Sequence, residues 1–333
     1  MSSENRIDLR DLGATGLKVF PMALGCMGMS GIYGAADDNE SIATIHAALD
    51  AGVTLLDTGD FYGAGHNEML IGRALKDRRN EALLSVKFGA LRSPDGGWGG
   101  FDARPAAVKN FAAYSLKRLG VDHIDIYRPA RLDPNVPIED TIGAIGDLIR
   151  AGYVRHAGLS EVGADTIRRA HSVLPISDLQ IEYAAISRGP ETLIFPVLEE
   201  LGIGVTAYGV LSRGLLSGSK PAASGDFRAH LPRFSGENLR QNEKVVEALM
   251  QLAAEMRLTP AQLAIAWVLA KGPRIIPVIG ARTRKQLSES LAALRVKLSG
   301  ADVARIEESV PPSAVAGTRY DEGQMRMLDS ERA

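Results

Sequence analysis

Residues 124–160, IDIYRPARLDPNVPIEDTIGAIGDLIRAGYVRHAGLS, contain the pattern that decides the fold. The run Ile124–Ala130 is short and rich in β-branched and aromatic residues, as expected of a strand, and Arg155–Ser160 follows as a second strand. Between them, apolar residues recur with helical period over Ile138–Ala151, and Gly152 stands where a left-handed cap would end the helix. This order of elements predicts a βαβ unit, whose two strands run parallel.

The same alternation of strands and helices continues along the chain from residue 20. Eight strands are predicted, at Met22–Gly25, Val53–Asp57, Leu83–Lys87, Ile124–Ala130, Arg155–Ser160, Leu179–Tyr183, Gly204–Tyr208 and Ile275–Gly280. The helical segments between them include Glu40–Ala51, Ala106–Leu119, Ile138–Ala151, Ala164–Val173, Glu191–Leu201 and Val245–Met256. Eight alternating units favour an α/β fold of the (β/α)8 TIM-barrel type.

A doubly wound open sheet is the alternative to the barrel. Nucleotide-binding sheets of that kind usually carry a Gly-x-Gly-x-x-Gly turn after the first strand. The corresponding turn here, Gly25-Cys26-Met27-Gly28-Met29-Ser30, does not match that spacing. Since no Pro-, Gly- or Ser-rich linker divides the chain, we expect one domain over residues 1–333, with the barrel at about 20–300.

Two segments lie outside the alternation, namely Leu215–Asn242 and the polar tail Val310–Ala333. Each is longer than the ~12–15 residues of an ordinary connection, which favours a lid or a binding element over the barrel mouth. For the tail, partial disorder is an equally good interpretation.

The charge balance of 38 basic and 40 acidic residues leaves a net charge of −2, which disfavours nucleic acid or an anionic membrane as a partner. The single cysteine, Cys26, cannot form an internal disulfide, which fits a reducing compartment. The amino-terminal residues lack a signal peptide's apolar stretch, and no apolar run reaches the ~18 residues of a membrane span. We expect a cytoplasmic protein, with its oligomeric state open.

The carboxyl ends of the predicted strands nominate a reactive group. In such barrels the functional residues come from this end, where Asp57 and Lys87 end neighbouring strands and Tyr62 lies just beyond. A buried Lys87 needs a counter-ion, and Asp57 is suited to that role. The ammonium is then expected to lower the pKa of Tyr62, so that the phenol can protonate a developing alkoxide. The alternative is a structural ion pair beside an ordinary loop tyrosine.

The segment Leu56–Gly63 (LDTGDFYG), followed by His66-Asn67-Glu68 and Ile71-Gly72, resembles the signature segment of the aldo-keto reductases. Further matching segments occur in the family's order over roughly residues 8–325; they are Leu12–Leu17, Leu24–Ser30, Gly158–Glu161, Gln180–Tyr183, Arg233–Phe234, Gly236–Asn238 and Ile276–Thr283. The resemblance implies the same barrel, NADPH or less often NADH as cofactor, and a small-molecule aldehyde or ketone as substrate.

The resemblance also implies a catalytic tetrad of Asp, Tyr, Lys and His. Asp57, Tyr62 and Lys87 match the first three positions, but Ala130 stands at the position of the histidine, which helps to hold the substrate carbonyl. Three replacements are open. A water fills the space, or Arg128, two residues deeper on the same face of the strand, contributes, or a bulky substrate occupies the site. Arg128 as an interior cation paired with a carboxylate is an equally good interpretation.

The cofactor positions follow from the resemblance. It places Ser160 and Gln180 at the nicotinamide carboxamide and Tyr208 against the nicotinamide ring, and it gives no contact to Glu161. The implied cofactor-binding set is Met27, Asp57, Ser160, Gln180, Tyr208, Gly209, Val210, Leu211, Arg213, Gly214, Gly280, Arg282, Gln286 and Glu289. An arginine beside a helix start suits an adenosine 2′-phosphate, so Arg282 favours NADPH over NADH. An exposed basic turn is the alternative for Arg282.

Candidate substrate contacts are Arg128 and Ala130, together with Tyr33, Trp98 and the tail residues Tyr320 and Met325, and each of the last four is alternatively a packing residue. Two other functions stay open at this point: a weakly catalytic sensor similar to channel-associated relatives, and a barrel aldolase with Lys87 as a Schiff-base nucleophile. The sequence shows no Gly-x-Ser-x-Gly elbow, no Gly-x4-Gly-Lys-Ser/Thr phosphate loop and no Cys/His cluster for a metal, so hydrolase, NTPase and metalloenzyme functions are not supported.

Overall fold

The computed structural model describes residues 7–219 and 226–332, which form a closed barrel of eight parallel strands in sequence order. The strands are β1 (Ala23–Gly25), β2 (Leu55–Gly59), β3 (Leu83–Phe88), β4 (Ile124–Pro129), β5 (Val154–Ser160), β6 (Ile176–Glu182), β7 (Gly204–Tyr208) and β8 (Ile275–Gly280). The ring closes where β8 pairs with β1 through Ile279 and Leu24. The predicted TIM barrel is confirmed, and each predicted strand corresponds to one observed strand.

The helices lie around this barrel in the predicted alternation. They are α1 (Asp38–Asp50), α2 (His66–Ala74), α3 (Pro105–Leu119), α4 (Ile138–Arg150), α5 (Ala164–Val173), α6 (Pro190–Leu193), α7 (Phe195–Leu201), α8 (Gly236–Glu255), α9 (Pro260–Ala270), α10 (Arg284–Ala292), α11 (Gly300–Ser309) and α12 (Glu322–Arg326). None of the described helices combines the length and the apolar character needed to cross a bilayer.

Two of the predicted helices differ from the observed ones. The single helix expected over Glu191–Leu201 is divided into α6 and α7, and Pro196, which has no N–H to continue a helical ladder, stands in the first turn of α7. Helix α8 begins at Gly236, nine residues before the predicted start. The prediction placed the start too late because the first turns of the helix are polar and show no apolar period. The long segment Leu215–Asn242 is therefore partly helical, and its residues 220–225 lie outside the described part.

One end of the barrel is closed by an amino-terminal hairpin of Arg10–Asp11 with Lys18–Val19. Its turn fits tightly against the starts of β6 and β7, where the N–H of Ala14 donates to the carbonyl oxygen of Gly202 at 2.7 Å. Leu12 and Val19 are fully buried there with Leu55 and Ile126 from the barrel interior. Access to the barrel is left to the opposite end, where the strands terminate.

The tail crosses that opposite end. Arg319 of the tail is buried, and the Asp329 carboxylate accepts a 2.8 Å hydrogen bond from the N–H of Gly163, just after β5. Helix α12 and a 3-10 turn at Asp329–Glu331 complete it. Residues 310–332 are thus packed across the barrel mouth, as predicted for a tail that covers it.

Gly72 in α2 and Gly143 in α4 differ in how much space surrounds them. A Cβ on Gly72 in α2 would lie 2.7 Å from the carbonyl oxygen of Leu119, whereas a Cβ on Gly143 in α4 would meet no heavy atom within 4 Å. We expect Gly72→Ala to lower the free energy of unfolding by ~1–3 kcal/mol because backbone must shift. Gly143→Ala should raise it by ~0.5–1 kcal/mol through helix propensity. Urea unfolding of both variants measures this; equal effects would contradict it.

Candidate active site

A buried ion pair occupies the centre of the barrel mouth. Lys87 at the end of β3 places its Nζ 2.6 Å from Oδ2 of Asp57 on β2, and both side chains are almost fully buried. The other carboxylate oxygen, Oδ1, accepts hydrogen bonds from Ser85 Oγ at 3.0 Å and from Gln180 Nε2 at 2.8 Å. The predicted Asp57–Lys87 pair is confirmed, with donors from β3 and β6 completing the carboxylate's partners.

Tyr62 lies beside this pair, and Nζ of Lys87 is 5.1 Å from the centre of its ring. The tyrosine begins a tight 3-10 turn in which Gly63 and Ala64 both have positive φ. Burial raises the pKa of Tyr62 well above its usual range, and the Asp57 carboxylate raises it further. The prediction that Lys87 gives Tyr62 a low pKa is therefore wrong for this structure, because Asp57 neutralises the ammonium and the ring is buried.

Arg128 lies below the mouth, inside the barrel, and is fully buried. Its Nη1 donates to Asp178 Oδ2 at 2.8 Å, and Nη2 donates to Asp178 Oδ1 at 3.2 Å and to Ser85 Oγ at 3.0 Å. The proposed role of Arg128 at the substrate carbonyl is not supported, because its guanidinium is held by an interior carboxylate. Ala130 comes directly after the last residue of β4 and is buried, and its methyl group offers no hydrogen-bond donor.

Two buried hydroxyls at predicted cofactor segments have no protein partner among the described residues. They are Ser160 Oγ at the end of β5 and Ser212 Oγ in the turn after β7. A buried hydroxyl without a hydrogen bond is costly, so each is suited to a ligand. Gln180, the other predicted carboxamide contact, donates instead to Asp57, as described above.

The turn after β7, Gly209–Gly214, adopts an unusual run of left-handed conformations. Gly209, Ser212, Arg213 and Gly214 have φ of 68°, 45°, 56° and 95°. Such strain in non-glycine residues concentrates at ligand-binding turns. Val210 and Leu211 lie within this turn. Because the turn follows the carboxyl end of β7, the predicted phosphate-binding segment lies at the mouth.

Arg213, predicted to meet phosphate, is engaged by protein groups in this structure. Its Nη2 lies 3.0 Å from Oε2 of Glu182, and its Nη1 donates to the Arg319 carbonyl oxygen at 3.2 Å. Its guanidinium also stacks 4.4 Å from the ring centre of Tyr320. A phosphate would contact Arg213 through its remaining N–H donors or in exchange for these partners.

Glu161 and Arg319 form a further buried ion pair at the mouth, with 2.6 Å between Arg319 Nη2 and Glu161 Oε2. Burial opposes ionisation of Glu161, yet Arg319 outweighs it and holds the pKa of this carboxyl far below its usual range. Tyr208 donates to Glu161 Oε1 at 2.7 Å, and its hydroxyl lies 2.9 Å from that of Tyr320. The tail thus covers the face where Tyr208 is predicted to stack on a nicotinamide.

Sequence reasoning missed Glu161, Glu182 and Arg319 as a linked cluster. The available signal was that Glu161 directly follows β5 and Glu182 ends the neighbouring β6, where buried carboxylates need cations. The sequence gives no means of assigning the cation to Arg319, which lies 158 residues from Glu161.

The remaining cofactor candidates meet between β8 and α10. Arg282 lies two residues after Gly280. Its backbone N–H donates to Gln286 Oε1 at 2.9 Å, and its Nη1 donates to the Tyr33 carbonyl oxygen at 3.0 Å. Thr283 caps α10 by accepting from the N–H of Gln286. Glu289 lies two turns along the helix from Arg282 and is exposed. The predicted helix start beside an arginine is present.

The aromatic candidates lie at the rim of the mouth. Trp98 belongs to a two-stranded hairpin of Ala90–Arg92 with Trp98–Phe101, which lies outside the barrel sheet. It is 44% exposed and packs edge-on against Phe61, with 6.1 Å between ring centres. Phe61 in turn contacts Tyr62 at 4.8 Å. Tyr33 lies in the loop that follows Met27 and packs against Gly28. The structure therefore places Trp98 and Tyr33 near the site, on either side of it.

A dinucleotide is compatible with these residues. The unpartnered hydroxyls of Ser160 and Ser212, the strained turn and the α10 start lie along one edge of the barrel mouth, on β5, β7 and β8. These groups offer donors for a carboxamide and for phosphates.

Asp60, between Asp57 and Tyr62, makes this region sensitive to pH. Its Oδ2 accepts a 3.3 Å hydrogen bond from Gly89, its Oδ1 has no partner among the described residues, and burial raises its pKa to about 7. Since a carboxyl in an unfolded chain titrates near ~3.9, the folded state binds this proton more tightly, and stability falls as pH rises from about 4 to 7. Ionisation of Asp60 is therefore unfavourable to folding.

We expect Asp60→Asn to gain about 2–3 kcal/mol of unfolding free energy relative to the unmodified chain between about pH 5 and about pH 8. Urea unfolding at both pH values measures this difference. A difference that does not change with pH would show that Asp60 titrates normally.

A family model for the Aldo/keto reductase family matches residues 21–311 of the chain. The chain is 41% identical over 320 residues to "Probable aldo-keto reductase 1" of Glycine max, covering 94% of this chain and 91% of that protein. It is 38% identical over 311 residues to the aldo-keto reductase yakc, NADP(+), of Schizosaccharomyces pombe, covering 91% and 92%.

Among solved structures, the glycerol dehydrogenase AKR11B4 from Gluconobacter oxydans matches with a TM-score of 0.82 at 26% identity, covering 97% of each chain. The fold, the family model and the two relatives each extend over most of the sequence. The chain therefore belongs to the aldo/keto reductase family.

Proposed function

We propose that this chain reduces the carbonyl group of an aldehyde or ketone, with NADPH as the hydride donor and Tyr62 as the proton donor. The observation that carries the proposal is the buried Lys87–Asp57 pair beside Tyr62 at the open end of the barrel. Family membership supports the reaction class, and the NADP(+) in the name of the S. pombe relative supports the cofactor.

The cofactor would be held along the edge formed by β5 to β8. In this proposal Ser160 and Gln180 bind the carboxamide, Tyr208 stacks on the ring, and the Gly209–Gly214 turn faces the phosphates. Met27, Asp57, Gly280, Arg282, Gln286 and Glu289 complete the set. When bound, NADPH supplies the hydride that reduces the carbonyl carbon, while Tyr62 gives its proton to the carbonyl oxygen.

The environment of Tyr62 sets the conditions for this transfer. Its raised pKa keeps the phenol protonated throughout the neutral range, so the proton is available. The same burial makes the phenol a weak acid, so its proton is lost only as negative charge develops on the substrate oxygen. Lys87 is positioned to stabilise the tyrosinate that remains. Asp57 fixes the position of the Lys87 ammonium, and Gln180 fixes the Asp57 carboxylate by a hydrogen bond.

A cofactor-binding protein with little turnover is the second candidate function. It is favoured by one observation, the buried methyl group of Ala130 at the position that the family resemblance assigns to the carbonyl-holding histidine. Steady-state assays with a panel of aromatic aldehydes separate the two candidates. Binding of NADPH without turnover of any aldehyde would favour the second.

We expect Tyr62→Phe to reduce turnover by at least ~10²-fold, because the proton donor is lost, while NADPH binding is unchanged. Ala130→His serves as the matched change at the same site and should preserve or raise the rate for small aldehydes, since it restores a donor. Single-turnover rates and NADPH fluorescence titrations measure both effects. Undiminished turnover by Tyr62→Phe would exclude the proposed mechanism.

The preference for NADPH is proposed to depend on Arg282 at the start of α10. We expect Arg282→Ala to weaken NADPH binding by ~10- to 100-fold, since a charged hydrogen bond to phosphate is worth about 1.5–3 kcal/mol, and to leave NADH binding within ~3-fold. Arg284→Ala is the control, because Arg284 pairs with Glu40 nearby. Titration of each variant with both cofactors decides; an equal loss for NADH would remove the 2′-phosphate role.

A further inference from the structure

Arg131, one residue beyond Ala130, is a cation at the barrel mouth that contacts the tail at Tyr320. We propose that its guanidinium holds the substrate's carbonyl oxygen and stabilises the charge that develops on it, in place of the absent histidine. This inference rests on the proposed carbonyl reduction and extends it to a further catalytic residue.

The backbone places Arg131 at the mouth next to Lys87. Strands β3 and β4 are in register at Lys87 and Arg128 and at Phe88 and Pro129. The N–H of Ala130 then donates to the carbonyl oxygen of Phe88 at 2.8 Å, which extends the ladder one residue beyond the strand. Arg131 therefore leaves the barrel beside the end of β3, where the Lys87–Asp57 pair lies.

The donors of Arg131 are mostly unused. Nη1 donates to the neighbouring Ala130 carbonyl oxygen at 2.7 Å, and Nη2 makes a long 3.4 Å contact with the Tyr320 hydroxyl. Within the described chain, no carboxylate oxygen lies within 4 Å of its guanidinium, and the side chain is half-buried. A guanidinium has five N–H donors in a planar fork, so several remain for a ligand.

Other arginines of the mouth differ from Arg131 in this respect. Arg128 is paired with Asp178, Arg213 with Glu182, and Arg319 with Glu161, each at 3.0 Å or less. The charge of each of these three arginines is balanced by the carboxylate that it contacts. Arg131 has no such partner within reach among the described residues, and its charge is free to act on substrate.

The charge of Arg131 acts at the position where the chemistry is proposed. Burial and Asp57 raise the pKa of Tyr62, and Arg131 is among the groups that oppose this increase. Burial also lowers the pKa of Lys87, and Arg131 contributes to that decrease. The guanidinium is thus electrostatically coupled to both the proton donor and the ammonium beside it.

The tail positions this guanidinium. Cζ of Arg131 lies 5.9 Å from the centre of the Tyr320 ring, and the Tyr320 hydroxyl lies 2.9 Å from that of Tyr208. Arg131 is therefore held between the end of β4 and the residue proposed to stack on the nicotinamide. In this proposal the carbonyl oxygen of a bound substrate lies within reach of both Tyr62 and Arg131.

The test combines turnover with a readout that needs no turnover. We expect Arg131→Met to lower kcat for benzaldehyde by ~10²–10³-fold, the usual cost of losing one oxyanion donor, with NADPH affinity within ~3-fold. Adding Ala130→His to this variant should recover at least ~10-fold, since the imidazole restores a donor. Arg104→Met is the control, because Arg104 is exposed and paired with Asp102 before α3, and it should be neutral.

The second measurement is calorimetric binding of benzoate to the NADP+ complex, in which the carboxylate stands in for the developing oxyanion. Arg131→Met should weaken benzoate by at least ~10-fold. Equal benzoate affinity in the two proteins, or unchanged kcat, would overturn the role of Arg131 and leave a water as the donor. If no aldehyde is turned over but benzoate affinity still depends on Arg131, the anion-holding role stands and the reductase proposal fails.

Discussion

The ion pair between Lys87 and Asp57 is the constraint on which the barrel mouth depends. Removing two charges from water costs several kcal/mol per ion, and only close contact with further hydrogen bonds offsets that cost. Asp57 meets this condition by accepting from Lys87, Ser85 and Gln180, which lie on β3 and β6. Because Gln180 comes from across the ring, its hydrogen bond to Asp57 forms only when the barrel is closed. Barrel closure and the site's charge arrangement are thus mutually dependent.

The same requirement explains the layering of charge above and below this pair. Deeper in the barrel, Arg128 is compensated by Asp178; nearer the surface, Glu182 and Glu161 are compensated by Arg213 and Arg319. The last of these cations comes from the tail, so the tail is required for the charge balance of β5 and β6 as well as for covering the mouth. If a ligand displaced Arg213 from Glu182, this carboxylate would still be paired with Arg233 and Arg319.

The sequence predicts the barrel and the Asp57–Lys87–Tyr62 group because both follow from local patterns: strand and helix periods, and charged residues at strand ends. The parts that it did not predict depend on long-range environment. The pKa of Tyr62 was predicted in the wrong direction because the sequence shows the ammonium and its counter-ion but not the burial of the ring, which is the largest cause of the raised pKa. The start of α8 was missed because a polar helix turn has no apolar period, and the Glu161–Arg319 pair joins residues 158 apart.

The high pKa of Tyr62 determines what else the site must contain. A neutral, weakly acidic phenol does not transfer its proton to the carbonyl oxygen before hydride addition. The negative charge that develops on that oxygen therefore needs a nearby cation. Lys87 carries a charge that Asp57 already balances at 2.6 Å, and Arg128 is bonded to Asp178 below the mouth. With a methyl group at Ala130, the uncompensated guanidinium of Arg131 is the group whose charge remains for the substrate oxygen. In the proposed mechanism, the methyl group of Ala130 just after β4 and a guanidinium without a carboxylate partner one residue later are then parts of one electrostatic arrangement.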